Sequence, residues 1–228
     1  SFGDPTPYVD RVHAAGSLLL NQVPTVEAGR RAVEVGVDVI FAQGTEAGGH
    51  TGKVPLLPSL PQVVDIAGDV PVLAAGGVGD GRGLAAVLVL GAQGALMGTR
   101  FIASNEAESE WPRLPDQVLA ASADDSVWTT AIDIQQGGGR SHWPSGIGAR
   151  SIRTEWLNRW SDQPEQLADL LADDPDADHA EGHDPTPAYA GPIAGMVTEH
   201  EPAARIVTSV ATDAVQVLES SRRLTSRR

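Results

Sequence analysis

"VPVLAAGGVGDGRGLAAVLVLGAQGALMGTR", residues 70–100, holds two short apolar runs, "VPVLAA" (70–75) and "GALMG" (94–98), on either side of a helical stretch, "GLAAVLVLG" (83–91). Neither run alternates with polar residues, which is the pattern of strands in a parallel sheet covered by helices. Strand, helix and strand in this order predict successive βα units. The glycine-rich turns "AAGGVGDGRG" and "MGTR" then leave the C-terminal ends of the two strands.

The same scheme extends toward the N-terminus. "SLLLNQV" (17–23) precedes "TVEAGRRAVEVG", where Thr25 is placed as N-cap and Gly36 as stop. "VDVIFA" (37–42) precedes a helix near "LPQVVDIAG". The opening "SFGDPTPYVDRVHAAG" reads as the end of a further strand and a helix around Val9 to Ala15, so the chain is expected to begin inside a unit. It shows neither the basic nor the apolar region of a signal peptide.

Beyond "TRFIAS" the pattern breaks. Trp111, Trp128, Trp143, Trp156 and Trp160 surround the turn-rich "QQGGGRSHWPSGIG", which predicts an irregular cap. Residues 162–187 are acidic and proline-rich and are expected to form a solvated loop. Within them His179 and His183 are unassigned, because Pro175, Gly182 and Pro185 oppose a rigid helix that would aim both at a metal. "EPAARIVTSVATDAVQVLESS" predicts a packed helix with Ile206, Val210, Ala214 and Val217 on one face, followed by a frayed "RRLTSRR".

Composition removes several classes of function. With 228 residues, a chain of this size can bury roughly 70–75% of its unfolded surface. No apolar run approaches the ~18 residues of a membrane span. The absence of cysteine excludes disulfides and thiolate chemistry and fits a reducing cytoplasm. A net charge of -14 opposes binding to nucleic acid or anionic lipid.

The chemistry is expected at strand C-terminal ends, where parallel α/β folds build ligand sites. Gly76 and Gly77, with Gly98 and Thr99, supply two glycine loops at consecutive strands, suited to a phosphate cradle. "GRGLAA" (81–86) fits a dinucleotide fingerprint in letters only, because the strand ends several residues earlier. In "AQGTEAGGHTG" (42–52), His50 stands in a loose glycine loop behind a strand. Its imidazole, with an ordinary pKa of about 6.5, suits a general base near neutral pH.

"FAQGTEAGGHTG" and "PVLAAGGVGDGRGLAAVLVLGAQGALMGTRFIAS", continued by "WPSGIGARSIRTEW" and "AYAGPIAGMVTEHEPAARIV", resemble the nitronate monooxygenase family, formerly the 2-nitropropane dioxygenases. The resemblance implies the C-terminal half of a (β/α)8 TIM-type barrel bearing a mostly helical cap. Residues 1–104 and 190–228 would be barrel, and 105–189 the inserted cap. It also implies FMN as cofactor, with Gln43 and Gly48 near the flavin and Gly76, Gly77, Gly98 and Thr99 around its phosphate. His50 would take the proton beside the nitro group, with Glu46 orienting it or shaping the loop. A small nitronate or nitroalkane and O2 would react to a carbonyl compound and nitrite, without metal, nucleic acid or membrane. A half barrel exposes two sheet edges, so a second copy or a missing N-terminal half would complete it. Where the family commonly has glutamine, this chain has Pro192. The alternatives are an FMN-dependent enoyl-acyl-carrier-protein reductase, which shares the "E.GGH.G" element, and a non-catalytic remnant.

Overall fold

The computed structural model describes residues 3–108, 111–174, 177 and 184–225, so His179 and His183 lie outside the described residues. After helix α1 (Val9–Ala14), strands β1 (Leu20–Val23), β2 (Val39–Gln43), β4 (Val72–Ala75) and β5 (Gly94–Leu96) form a parallel sheet in the order β1-β2-β4-β5. The βα reading of the sequence holds, and helices α2 (Val26–Val35), α3 (Leu56–Ala67) and α4 (Gly81–Val89) connect these strands, with the short α5 (Thr99–Ile102) following β5. The caps of α2 lie where the residues place them: the Thr25 hydroxyl accepts from the Ala28 amide, and Gly36 closes the helix at φ 83°. Helix α3 begins a turn earlier than its apolar pattern, directly behind Pro55.

The pleat sorts this sheet into two faces. Ile40, Ala42, Val72 and Ala74 are buried in one core with Leu60 and Val63 of α3 and Val87 of α4. On the opposite face Phe41 and Leu73 are only partly buried and Leu20 and Leu96 are exposed, while Gln43 and Ala75, at the C-terminal ends of β2 and β4, are buried.

A second, antiparallel sheet has the order β3-β7-β6, built from β3 (Gly49–Thr51), β6 (Ser126–Thr129) and β7 (Gly148–Ile152). The sequence reading did not predict it. Two of its strands lie in the tryptophan-rich segment and the third in the loop of His50. Helices α6 (Leu114–Ala120), α7 (Ala131–Gln136), α8 (Glu155–Trp160) and α9 (Pro164–Asp173) surround it. The expectation of a solvated loop over residues 162–187 is corrected in its first half. Pro164 opens α9, and Leu167 and Leu171, one turn apart, are buried with Trp156 and Trp160.

Helix α10 (Ala203–Thr225) returns to α4, with Ile206, Val210 and Ala214 buried as predicted. It continues through residues 222–225, where fraying was expected. The close approach rests on Gly81, whose hypothetical Cβ would lie 2.4 Å from the Asp213 Cβ. The start of α10 is fixed by Glu201, buried and paired with both Arg100 and Arg205. Among the described residues no helix is long and apolar enough to cross a membrane.

Asp80 caps α4, accepting from the Arg82 and Gly83 amides at 2.9 and 3.1 Å. Partial burial pushes its pKa up, but the bonds from Arg82 and Gly83 outweigh this and hold it below the ordinary 3.8. The stabilisation is therefore present above that value and is lost as the pH falls through the lowered pKa. Asp80→Ala is expected to cost about 1 kcal/mol at pH 7. In denaturant titrations the deficit relative to the parent chain shrinks below pH 3.8.

Candidate active site

Parallel strands bring their C-terminal loops to one end of the sheet. There β2, β4 and β5 open onto a cavity of about 620 Å³, which Trp143, Tyr189 and Ile193 also line. All seven residues singled out in the sequence line it: Gln43, Gly48, His50, Gly76, Gly77, Gly98 and Thr99.

The loop after β2 is not loose. His50 lies in β3 and pairs with Ala149 of β7. The Gln43 side-chain amide donates to the His50 carbonyl at 2.9 Å, the Thr51 hydroxyl donates to the Gly44 carbonyl at 3.0 Å, and the Trp128 indole donates to the Thr51 carbonyl at 3.1 Å. The Arg150 guanidinium donates to the Thr45 carbonyl and hydroxyl. Burial lowers the Arg150 pKa, against the raising effect of the Glu46 carboxylate. Glu46 itself accepts the Leu56 amide at 3.0 and 3.2 Å, capping α3. Of the two roles expected for Glu46 the structure shows the second: it shapes the loop and does not bond to His50.

The partner of His50 is Asp133 on α7. His50 Nε2 stands 2.6 Å from Asp133 Oδ1, and the carboxylate is fully buried. The imidazole stacks on the Trp143 indole, with centroids 3.8 Å apart and planes at 20°. Tyr189 lies 5.7 Å from the same ring. Burial pushes the Tyr189 phenol pKa up; a hydrogen bond with Gln136 opposes this and the charge of Asp133 adds to it. The phenol therefore stays neutral through the physiological range.

The glycines divide by what holds them. Gly76 has φ 97°, and a Cβ there would lie 2.7 Å from the Ala47 amide nitrogen, so the fold itself demands glycine. Gly98 has φ -101° and nothing within 4 Å of its hypothetical Cβ. Its open side belongs to the cavity. Gly77 has φ 71°, and a Cβ on Gly48 would press on Ala190 at 2.7 Å. The Thr99 hydroxyl accepts from the Gly191 amide at 2.9 Å and keeps its own proton to donate. "GRGLAA" forms the start of α4, whose amides Asp80 already occupies, which agrees with setting the dinucleotide fingerprint aside.

Sequence reasoning missed Asp133, Trp143 and Tyr189. A signal for Asp133 was present: it is an acid between Ile132 and Ile134 in the apolar stretch "VWTTAIDI", and a carboxylate so placed is buried only with a partner. Trp143 and Tyr189 carried no such mark.

The nitronate monooxygenase family model matches residues 1–213. The chain belongs to this family. Its members are flavin oxidoreductases. A protein of Mycobacterium tuberculosis named as a monooxygenase is 41% identical over 170 residues, covering 73% of this chain and 42% of that one. Among solved structures, FabK from Thermotoga maritima superposes with a TM-score of 0.80 at 29% identity, covering 97% of this chain and 68% of the other. The nitroalkane oxidase of Streptomyces ansochromogenes gives 0.74 at 28% identity, covering 96% and 64%. The chain spans less than half the length of the curated relatives it matches.

Gly76→Ala and Gly98→Ala separate structural from ligand-facing glycines. Without added ligand the first is expected to lose about 1–3 kcal/mol of stability, and the second to stay within about 0.5 kcal/mol of the parent chain, as read by thermal melting.

Proposed function

We propose that this chain carries the active site of an FMN-dependent oxidoreductase that oxidises alkyl nitronates, and neutral nitroalkanes, with O2 to a carbonyl compound and nitrite. The observation that supports it best is the convergence of the loops after β2, β4 and β5 on one cavity with His50 at its wall.

The cavity fits FMN. Among the described residues no lysine or arginine lines it, so backbone amides of the glycine loops and the Thr99 hydroxyl are the donors that would hold the phosphate. Gln43 Oε1 is buried without a partner among the described residues, an acceptor that a flavin ring N–H would satisfy. When bound, FMN supplies the acceptance of electrons from the substrate and their delivery to O2.

The chain's own residues supply the rest. His50 takes the proton from the carbon beside the nitro group, leaving a nitronate and an imidazolium. Trp143, stacked on the ring, covers one of its faces and fixes its plane. Tyr189 presents a neutral hydroxyl group. A substrate supplied as nitronate needs no base.

The parallel sheet is read as the C-terminal half of a (β/α)8 barrel, with residues 105–189 as cap. The support is its half-exposed face with Phe41 and Leu73 and its edge strands β1 and β5, unpaired on their outer sides among the described residues. Sedimentation of the 228-residue chain is expected to show self-association, and a cooperatively melting monomer contradicts the half-barrel reading.

The FabK likeness favours one second reading, the FMN-dependent enoyl reductase, which NADH oxidation driven by an enoyl thioester would establish. For the main reading, the chain loaded with FMN and desalted keeps flavin absorption and consumes O2 with ethylnitronate. His50→Ala is expected to lose at least about 100-fold in turnover of neutral nitroethane while keeping that of ethylnitronate. A colourless, inactive chain contradicts the reading and leaves the non-catalytic remnant.

A further inference from the structure

Helix α7 carries two side chains that reach the cavity residues from behind. Asp133 meets the His50 ring, and Gln136, three residues on, hydrogen-bonds Tyr189. Asp133 is the more constrained. Its carboxylate is fully buried, Oδ1 is 2.6 Å from His50 Nε2, and Oδ2 has no partner among the described residues.

We propose that Asp133 is the positioning residue that makes His50 a base at Nδ1. This rests on the reading of His50 as the group that deprotonates neutral substrate. An ionised carboxylate only accepts hydrogen bonds, so at 2.6 Å it fixes the ring proton on Nε2. The lone pair then lies on Nδ1. When Nδ1 takes the proton from the substrate carbon, the C–H electron pair stays on the substrate as nitronate, and the new imidazolium is held against the Asp133 carboxylate. Trp143 keeps the ring in plane at a centroid distance of 3.8 Å, so bond and stack together leave the imidazole one orientation. The constraint joins residues 83 positions apart, on β3 and α7.

The test is the tautomer, read by long-range 1H–15N correlation of histidine-labelled chain, with His50→Ala used to assign the signal. The parent chain is expected to show His50 in the Nε2–H form. In Asp133→Asn the side-chain amide can donate to Nε2, and the proton moves to Nδ1. In the FMN-loaded chain kcat for nitroethane then falls at least about 100-fold with KM within a few-fold, ethylnitronate turnover is kept, and Asp133→Glu recovers part of the loss. A parent His50 in the Nδ1–H form overturns the proposal, and decides it even if the Asn variant does not fold. Unchanged tautomer and nitroethane turnover in Asp133→Asn overturn it too, as does an equal loss of ethylnitronate turnover, which marks a purely structural role. If His50→Ala loses both substrates alike, the base reading fails, while the tautomer spectrum still tells whether Asp133 sets the ring.

Discussion

A carboxylate removed from water has to meet a donor, because its unpaired burial costs far more than a single fold contact returns. Asp133 meets His50, and that one bond joins the glycine loop behind β2 to helix α7. Around it the other anchors of the loop fall into place: Gln43 on the His50 carbonyl, Arg150 on Thr45, Trp128 on Thr51, and Glu46 on the first amide of α3. A segment with four glycines thereby becomes an ordered strand and holds a titratable ring at a fixed place beside the cavity.

The two sheets divide the work of the site. The parallel sheet supplies strand ends with glycine turns, open at Gly98 and tight at Gly76, together with the Gln43 amide and the Thr99 hydroxyl. The antiparallel sheet and its helices supply side chains, since β3 carries His50 and the segment from α7 to Tyr189 carries its polar and aromatic neighbours.

Much of this was legible in the residues. Thr25 and Gly36 bracket α2 because capping is local chemistry, and the apolar runs of β1, β2, β4 and β5 stand out because parallel strands covered by helices need no polar alternation. The glycines at 76, 77 and 98 were found because a turn at a strand end has its own signature. The second sheet was not, since β3 is three residues of a glycine loop and its partner β7 lies about a hundred residues on. Helix α9 hid under acidic residues, although Leu167 and Leu171 keep helical spacing. Asp133 was missed for a similar reason: nothing local says which histidine a buried acid will meet.

Whether the strand-end loops and His50 together form a flavin site is read directly from a crystal structure of the chain soaked with FMN. The phosphate is expected among the backbone amides near Gly77 and Gly98, with the ring system against Gln43 and in reach of His50. A flavin bound elsewhere, or a cavity that stays free of it at saturating FMN, rules this site out.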